Sequence, residues 1–217
     1  MIKFNISKSL SQALSQHFEP MKQRTPSLIW DTELVSIKNE LCIVVQERFS
    51  GYVMLFCGLK DRDFLHFPSL FQKRFQREVT VLCPEININD REDFCRHLMQ
   101  MSDDQRYQVE PADFDDTPMQ RIIEDLRVRA EENNERLPLS DRESFEYAVQ
   151  FNCDEEESVE EFDVLCPLEL FRDLCKNFVN EFHEKKRLEK LAARSVIGKH
   201  NNVITVNFGA RSLAHAG

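Results

Sequence analysis

The chain has 217 residues, of which 41% are hydrophobic and 17 are Phe, so it can bury a sizeable core. Its five Gly argue against a glycine-rich phosphate loop and against a turn-rich β-barrel. No run approaches the roughly 18 apolar residues of a membrane-spanning helix, and the start of the chain lacks a secretory leader. We therefore predict a soluble, cytoplasmic protein with no membrane partner.

The net charge of −10 is unevenly distributed along the chain. Between Glu85 and Asp163 there are 25 Asp and Glu against eight Arg and no Lys, whereas the remainder carries a net charge of +7. Two interpretations stay open: the two parts attract each other within one chain, which is favoured, or each binds a separate partner. A basic surface for duplex DNA is absent, so binding to nucleic acid is expected to be weak.

The first third of the chain predicts a strand, a helix and three further strands. Residues 2–6 alternate between apolar and polar, and Ser7 is placed to cap a helix that runs to about residue 18. Residues 30–37, 41–47 and 52–57 are rich in β-branched and aromatic side chains. The tetrapeptide between the last two has the length and the glycine of a hairpin loop, which predicts an antiparallel meander.

The remainder of the chain predicts helices with a few short strands. Phenylalanines recur at helical spacing from residue 64 to residue 75, Asp90 is placed to cap a helix, and Pro118 is placed at the start of another. Short strands are predicted at 79–83, around 107–109, at 144–153 and at 203–208. Strict alternation of apolar residues is the basis for the strand at 144–153.

Pro167 opens a long amphipathic helix with an apolar stripe. The stripe consists of Leu170, Phe171, Leu174, Phe178, Phe182 and Leu188. We predict an α+β fold with a small, mainly antiparallel sheet, helices packed on one face and this long C-terminal helix against it. Residues 1–208 are predicted to form a single domain, followed by a flexible tail at 209–217.

Three segments together carry a resemblance to other sequences. They are residues 1–10, residues 30–64 with the ending Gly-Leu-Lys-Asp-Arg-Asp-Phe, and the helix after Asp116. In this arrangement the chain resembles a family of uncharacterised bacterial proteins with a domain of unknown function. The resemblance covers roughly residues 1–135. The family has a polar Asn-Arg-Ser and Gly-Ser-Met-Asn-Asp pattern in that helix, and here only Asp125 corresponds to it. The resemblance therefore implies no activity that could be assigned to this chain.

The residues that could carry catalysis or hold a metal lack the usual spacings. The seven Cys form no C-x-x-C pair and are expected to be free thiols; Cys95, Cys166 and Cys175 are interpreted as core residues rather than nucleophiles. No zinc-binding pattern and no dinucleotide or phosphate-loop fingerprint is present, so no metal and no cofactor is predicted. Asp113, Asp115 and Asp116 could ligate a divalent cation, but capping of the following helix by Asp116 is favoured.

Two charged segments are the candidate partner-binding residues. The acidic segment comprises Glu155, Glu156, Glu157, Glu160 and Glu161, and the basic segment comprises Lys185, Lys186 and Arg187. The simpler explanations are a solvated loop for the first and a favourable interaction with the helix dipole for the second.

From these features we predict a non-catalytic protein-interaction or regulatory component of a bacterial mobile-element or phage-related system. It would engage a protein partner through its acidic surface, and the stripe of the C-terminal helix leaves a homodimer open. One alternative is a metal-dependent nucleic-acid-processing or other hydrolytic enzyme whose acids assemble only in the fold. The other is a nucleic-acid-binding module that uses the basic end of the C-terminal helix.

Overall fold

A computed structural model describes residues 1–14, 28–83, 86–109, 118–153 and 166–200 of the chain. The chain divides into two compact units, Met1–Val179 and Asn180–Gly217. Within the described ranges, no helix is both long enough and apolar enough to cross a membrane.

The first unit contains one five-stranded sheet in the order β4-β3-β2-β1-β5. Its strands are β1 (Ile2–Ile6), β2 (Leu28–Ile37), β3 (Glu40–Glu47), β4 (Val53–Leu59) and β5 (Gln105–Val109). Strands β2, β3 and β4 form an antiparallel meander, whereas β1 runs parallel to both β2 and β5. The predicted meander and the predicted mainly antiparallel sheet are confirmed, and β1 and β5 add a parallel edge to it.

Seven α-helices are described. They are α1 (Lys8–Ala13), α2 (Asp61–Phe64), α3 (Phe67–Leu82), α4 (Arg91–Asp103), α5 (Pro118–Arg127), α6 (Asp141–Cys153) and α7 (Pro167–His200). Ser7 caps α1 as predicted, because its Oγ accepts a hydrogen bond from the Leu10 N–H at 3.3 Å. Pro118 begins α5, as predicted. A π-helical segment, Val128–Glu132, continues α5.

One face of the sheet is covered by aromatic side chains. Phe4 of β1 and Trp30 of β2 are adjacent in register, and both contact the ring of Phe71 in α3, at centroid distances of 4.7 and 5.3 Å. Phe171 of α7 packs on the same face, 5.9 Å from Trp30 and stacked at 4.1 Å on Tyr52. Helices α3 and α7 therefore form the cover of this aromatic face.

The opposite face is aliphatic and is covered by α5, the π-helical segment and α6. Val35, Val44 and Leu55 of the meander pack against this layer. From the helices come Met119, Ile122, Ile123, Leu126, Ala130 and Ala148. The α+β class is confirmed, but the prediction of helices on one face only is wrong. Consecutive residues of β3 and β4 are buried, so both faces of the meander need an apolar cover.

Two predicted strands are helical. Residues 144–153 belong to α6, in which the small or polar residues Ser144, Ala148 and Asn152 recur every four positions and are buried. The alternation of Phe145, Tyr147, Val149 and Phe151 therefore does not reflect a strand, because the buried positions of this segment follow helical spacing. Residues 79–82 continue α3, where Val79 extends the series Phe67, Phe71 and Phe75 at the same four-residue spacing.

Asn152 of α6 makes two hydrogen bonds to the backbone of the edge strand β4. Its side-chain oxygen accepts from the Val53 N–H at 2.7 Å, and its side-chain nitrogen donates to the Val53 carbonyl at 3.0 Å. Asn152 is fully buried. The backbone N–H and the backbone carbonyl of Val53, which point away from β3, thus both find a hydrogen-bond partner in one side chain.

Helix α7 begins at Pro167 as predicted, and the predicted packing of this helix against the sheet is confirmed for the part within the first unit. Phe171, Cys175, Phe178 and Val179 are buried, and the ring of Phe178 lies 6.1 Å from that of Phe75. In the second unit, the side chains from His183 to Ala193 are exposed, with the exception of Lys186. The exposed residues include two leucines, Leu188 at 54% and Leu191 at 50%. The predicted strand at 203–208 and the predicted tail lie outside the described residues.

Candidate functional site

A buried ion pair lies on the face of α3 that packs into the first unit. Arg74 and Glu78 are one helical turn apart, each exposes 2% of its side chain, and Arg74 Nε donates to Glu78 Oε1. They are flanked by Phe71, Phe75 and Val79, which are all buried. Two charges in an apolar layer are costly to desolvate, so this pair needs further partners to be stable.

Tyr52 and α6 supply those partners. The Tyr52 hydroxyl donates to Glu78 Oε2 at 2.8 Å, and Arg74 Nη1 donates to the backbone carbonyl of Asp141 at 2.6 Å. Burial raises the pKa of Glu78 more than the adjacent Arg74 charge lowers it. Burial, followed by the negative charge of Glu78, also raises the pKa of Tyr52, so the phenol stays protonated.

A capping box fixes the start of α6 and therefore the position of Asp141. Ser140 Oγ accepts from the Glu143 N–H at 3.2 Å, and Glu143 Oε2 accepts from the Ser140 N–H at 3.0 Å. The Leu139 N–H also donates to Glu143 Oε2, at 2.8 Å. This bond is the main cause that lowers the pKa of the Glu143 carboxyl, and the bonds from Ser140 contribute to the same effect. The first turn of α6 is thereby held beside Arg74.

A cavity of about 360 Å³ opens between these two helices, and we name it the α3–α6 pocket. It is lined by Arg74, Arg77, Glu78 and Val81 of α3 and by Asp141, Arg142, Phe145 and Glu146 of α6. The carboxylate of Asp141 lies 3.8 Å from Arg77 Nη1, and Glu146 accepts from Arg142 Nε at 2.7 Å. The floor holds the buried ion pair, and the rim holds exposed ion pairs.

One nitrogen in this network is unsatisfied. Arg74 Nη2 is buried and has no hydrogen-bond partner, although Nε and Nη1 of the same guanidinium each donate one bond. The ring of Phe145 lies 6.0 Å from the guanidinium carbon of Arg74. Arg74 is also one of the residues that line the α3–α6 pocket, and a buried polar group without a partner calls for an explanation.

The predicted partner-binding residues lie elsewhere. Lys185 and Arg187 are exposed on α7 in the second unit, Arg187 donates to Glu184 at 2.6 and 2.8 Å, and the Lys186 ammonium lies 5.3 Å from the Phe182 ring centre. The acidic segment at Glu155–Glu157 and Glu160–Glu161 and the aspartates at 113, 115 and 116 lie outside the described residues.

The cysteines are all free in the structure. Cys175 is buried, and a hydrogen bond with Cys83, together with burial, raises its pKa. A thiol that stays protonated is a poor nucleophile, so the interpretation of Cys175 as a core residue is supported. Among the described side chains, no group of three or more His, Cys, Asp or Glu is arranged to hold a metal ion.

The residues of the α3–α6 pocket were not among the candidate site residues predicted from the sequence. A signal was nevertheless present, since Arg74 and Glu78 fall on the buried stripe of phenylalanines at a spacing of four. Charged residues at core positions of an amphipathic helix indicate either a buried pair or a site. The incorrect strand at 144–153 concealed the second wall of the pocket.

Comparison with protein-family models, with curated proteins and with solved structures gave no match to this chain.

Proposed function

We propose that the protein is a non-catalytic protein-interaction component with a regulatory role, and that its α3–α6 pocket receives a side chain of a protein partner. The observation that carries the proposal is a concave site lined by three Arg and one Phe, with a buried and unsatisfied guanidinium nitrogen at its floor. Arg and aromatic residues are the side chains most enriched where protein interfaces are strongest.

The environment of Glu78 favours binding over catalysis. Both of its carboxylate oxygens already accept hydrogen bonds, one from Arg74 and one from Tyr52. A general base needs an oxygen within reach of the proton that it removes. Glu78 is therefore suited to hold Arg74 in place rather than to act on a substrate.

The rim of the pocket is also suited to a protein surface. Val81 lines the pocket and exposes 58% of its surface, close to the charged groups of Arg77 and Arg142. Exposed apolar surface next to Arg side chains is common in protein interfaces. From the sequence resemblance and composition, we further propose that the protein acts in the cytoplasm of a bacterium, in a mobile-element or phage-related system.

The experiment is a quantitative affinity purification from the native host with matched variants. Val81→Glu and Arg142→Glu alter the two walls of the pocket at exposed positions. The controls are Ile88→Glu, an apolar residue that exposes 82% of its surface, and Arg96→Glu, which like Arg142 pairs with a Glu four positions away on its helix. Neither control lines the pocket.

We expect at least one protein to be recovered with the wild type and with both controls, and to fall by at least about tenfold with each pocket variant. Reconstitution of that complex from two purified proteins would then give its affinity. Equal recovery with the wild type and with both pocket variants would refute the proposed role of the pocket.

A further inference from the structure

We infer that the α3–α6 pocket binds the carboxylate of an acidic side chain of the partner, with Arg74 and Arg142 as its ligands. This inference rests on the proposed function, because it names the chemical group that the pocket would receive. Arg74 provides the buried anchor and Arg142 provides the exposed second donor from the opposite wall.

The hydrogen-bonding state of Arg74 requires an acceptor. A guanidinium has five N–H donors in a rigid plane, and the two at Nη2 have no acceptor in the protein. A carboxylate oxygen that accepts from Nη2 would give this nitrogen a charge-assisted bond. Because Nη2 is buried, access to it requires a small shift of side chains that line the pocket.

The charge balance of the pocket favours a single negative charge. The three Arg of the lining are matched in number by Glu78, Asp141 and Glu146, so the lining is formally neutral when all three acids are ionised. Asp141 and Glu146 would repel an anion, but each is paired, with Arg77 and Arg142 respectively. A monoanionic carboxylate shares these guanidinium groups at a lower electrostatic cost than a dianionic phosphate does.

The apolar lining indicates what should lie beside the carboxylate. The Phe145 ring and the exposed Val81 stand on opposite walls, and both are close to the charged groups. An acidic side chain with an aliphatic stem, or one that precedes an apolar residue, would place its carbon atoms against these two walls. The pocket therefore fits an acidic peptide with an apolar neighbour.

The test uses the full chain and a small probe pair. The probes are 3-phenylpropionate and its neutral isostere 3-phenylpropanamide, followed by NMR of the backbone amides and of the Arg Nε–H groups. We expect saturable shifts at Arg74 Nε and in residues 141–146 with 3-phenylpropionate, at a dissociation constant in the millimolar range typical of a fragment of about ten heavy atoms. The amide should bind roughly tenfold more weakly.

The variant for this test is Arg142→Gln, because removal of the buried Arg74 would threaten folding. It should weaken binding of 3-phenylpropionate by roughly tenfold, whereas Arg96→Gln should leave it unchanged. Inorganic phosphate serves as the dianionic comparison and should bind more weakly than 3-phenylpropionate. Equal binding of the acid and the amide, stronger binding of phosphate, or an unchanged dissociation constant of 3-phenylpropionate in Arg142→Gln would overturn the inference.

This outcome is separable from that of the affinity purification. A partner that is lost with Val81→Glu and Arg142→Glu, combined with no preference for the carboxylate probe, would refute the inference and leave the proposed function standing. Selective binding of 3-phenylpropionate, combined with no partner that depends on the pocket, would refute the proposed function and leave the carboxylate preference of the pocket standing.

Discussion

The carboxyl group of Glu78 is buried between Arg74 and Tyr52, and its surroundings disfavour its charged form. Burial is the largest influence on its pKa and raises it, while the Arg74 charge and the two hydrogen bonds oppose that rise. Glu78 therefore ionises less readily in the folded chain than in the unfolded one. This difference couples the protonation of one side chain to the stability of the first unit.

For this residue we predict a stability contribution that decreases with pH. Because the folded pKa lies above the unfolded value near 4.5, the contribution is fully present below that value and is lost as the pH rises through the folded pKa. Glu78→Gln cannot titrate, so the difference in unfolding free energy between wild type and variant should shrink with increasing pH. Urea unfolding between about pH 4 and pH 8 measures this, with the exposed Glu124→Gln as control. A difference that grows with pH would contradict the prediction.

At the scale of elements, helix α7 is part of the core of the first unit. Phe171 stacks on Tyr52 and meets the edge of Trp30, and Phe178 packs against Phe75 of α3. Both phenylalanines are buried. The apolar stripe of α7 within the first unit thus faces the interior rather than a partner, as the sequence analysis favoured.

We therefore predict a large loss of stability when this stripe is truncated. A buried Phe→Ala change costs about 3–5 kcal/mol, and a domain has about 5–15 kcal/mol in total. Phe178→Ala should clearly lower the melting temperature, and Phe171→Ala with Phe178→Ala should leave the chain nearly unfolded. Leu188→Ala, at an exposed position of the same helix, should change little. An unchanged melting temperature with loss of an oligomer in size-exclusion runs would contradict this prediction.

The elements that the sequence predicted best are those in which local and tertiary signals agree. The meander has β-branched strands and a loop in which Gly51 adopts a left-handed conformation, with φ of 72°. The prediction for α6 was wrong because its buried positions are Ser144, Ala148 and Asn152, which a hydrophobicity pattern does not count as core. The α3–α6 pocket could not be predicted because it forms between two helices that are distant in sequence, and no local pattern brings them together.

At the scale of the whole molecule, the charge of −10 opposes contact with nucleic acid. The described basic segment, Lys185–Arg187, spans a single turn of α7, and Arg187 already pairs with Glu184. The phosphate contacts available to it are therefore few, so the affinity should be low and its dependence on salt concentration shallow.

We predict that any binding to DNA or RNA is weak at physiological salt. Fluorescence anisotropy with labelled duplex and single-stranded oligonucleotides, measured over a salt series, provides the test. Lys185→Glu with Lys186→Glu is the informative variant, and Lys73→Glu with Arg77→Glu on α3 is a charge-matched control. A submicromolar affinity that disappears only in the first variant would contradict the proposed function and favour a nucleic-acid-binding module.

The bonds from Asn152 to Val53 have a consequence for how the molecule behaves at high concentration. Strand β4 is an edge of the sheet, and an open edge is a template on which another chain can add a strand. The amide of Asn152 occupies the donor and the acceptor that such an added strand would use at Val53. One buried side chain thus protects this part of the edge strand from pairing with a strand of another molecule. Asn152→Ala would leave the Val53 N–H and carbonyl without these partners, and we expect self-association through this edge to increase where the fold persists.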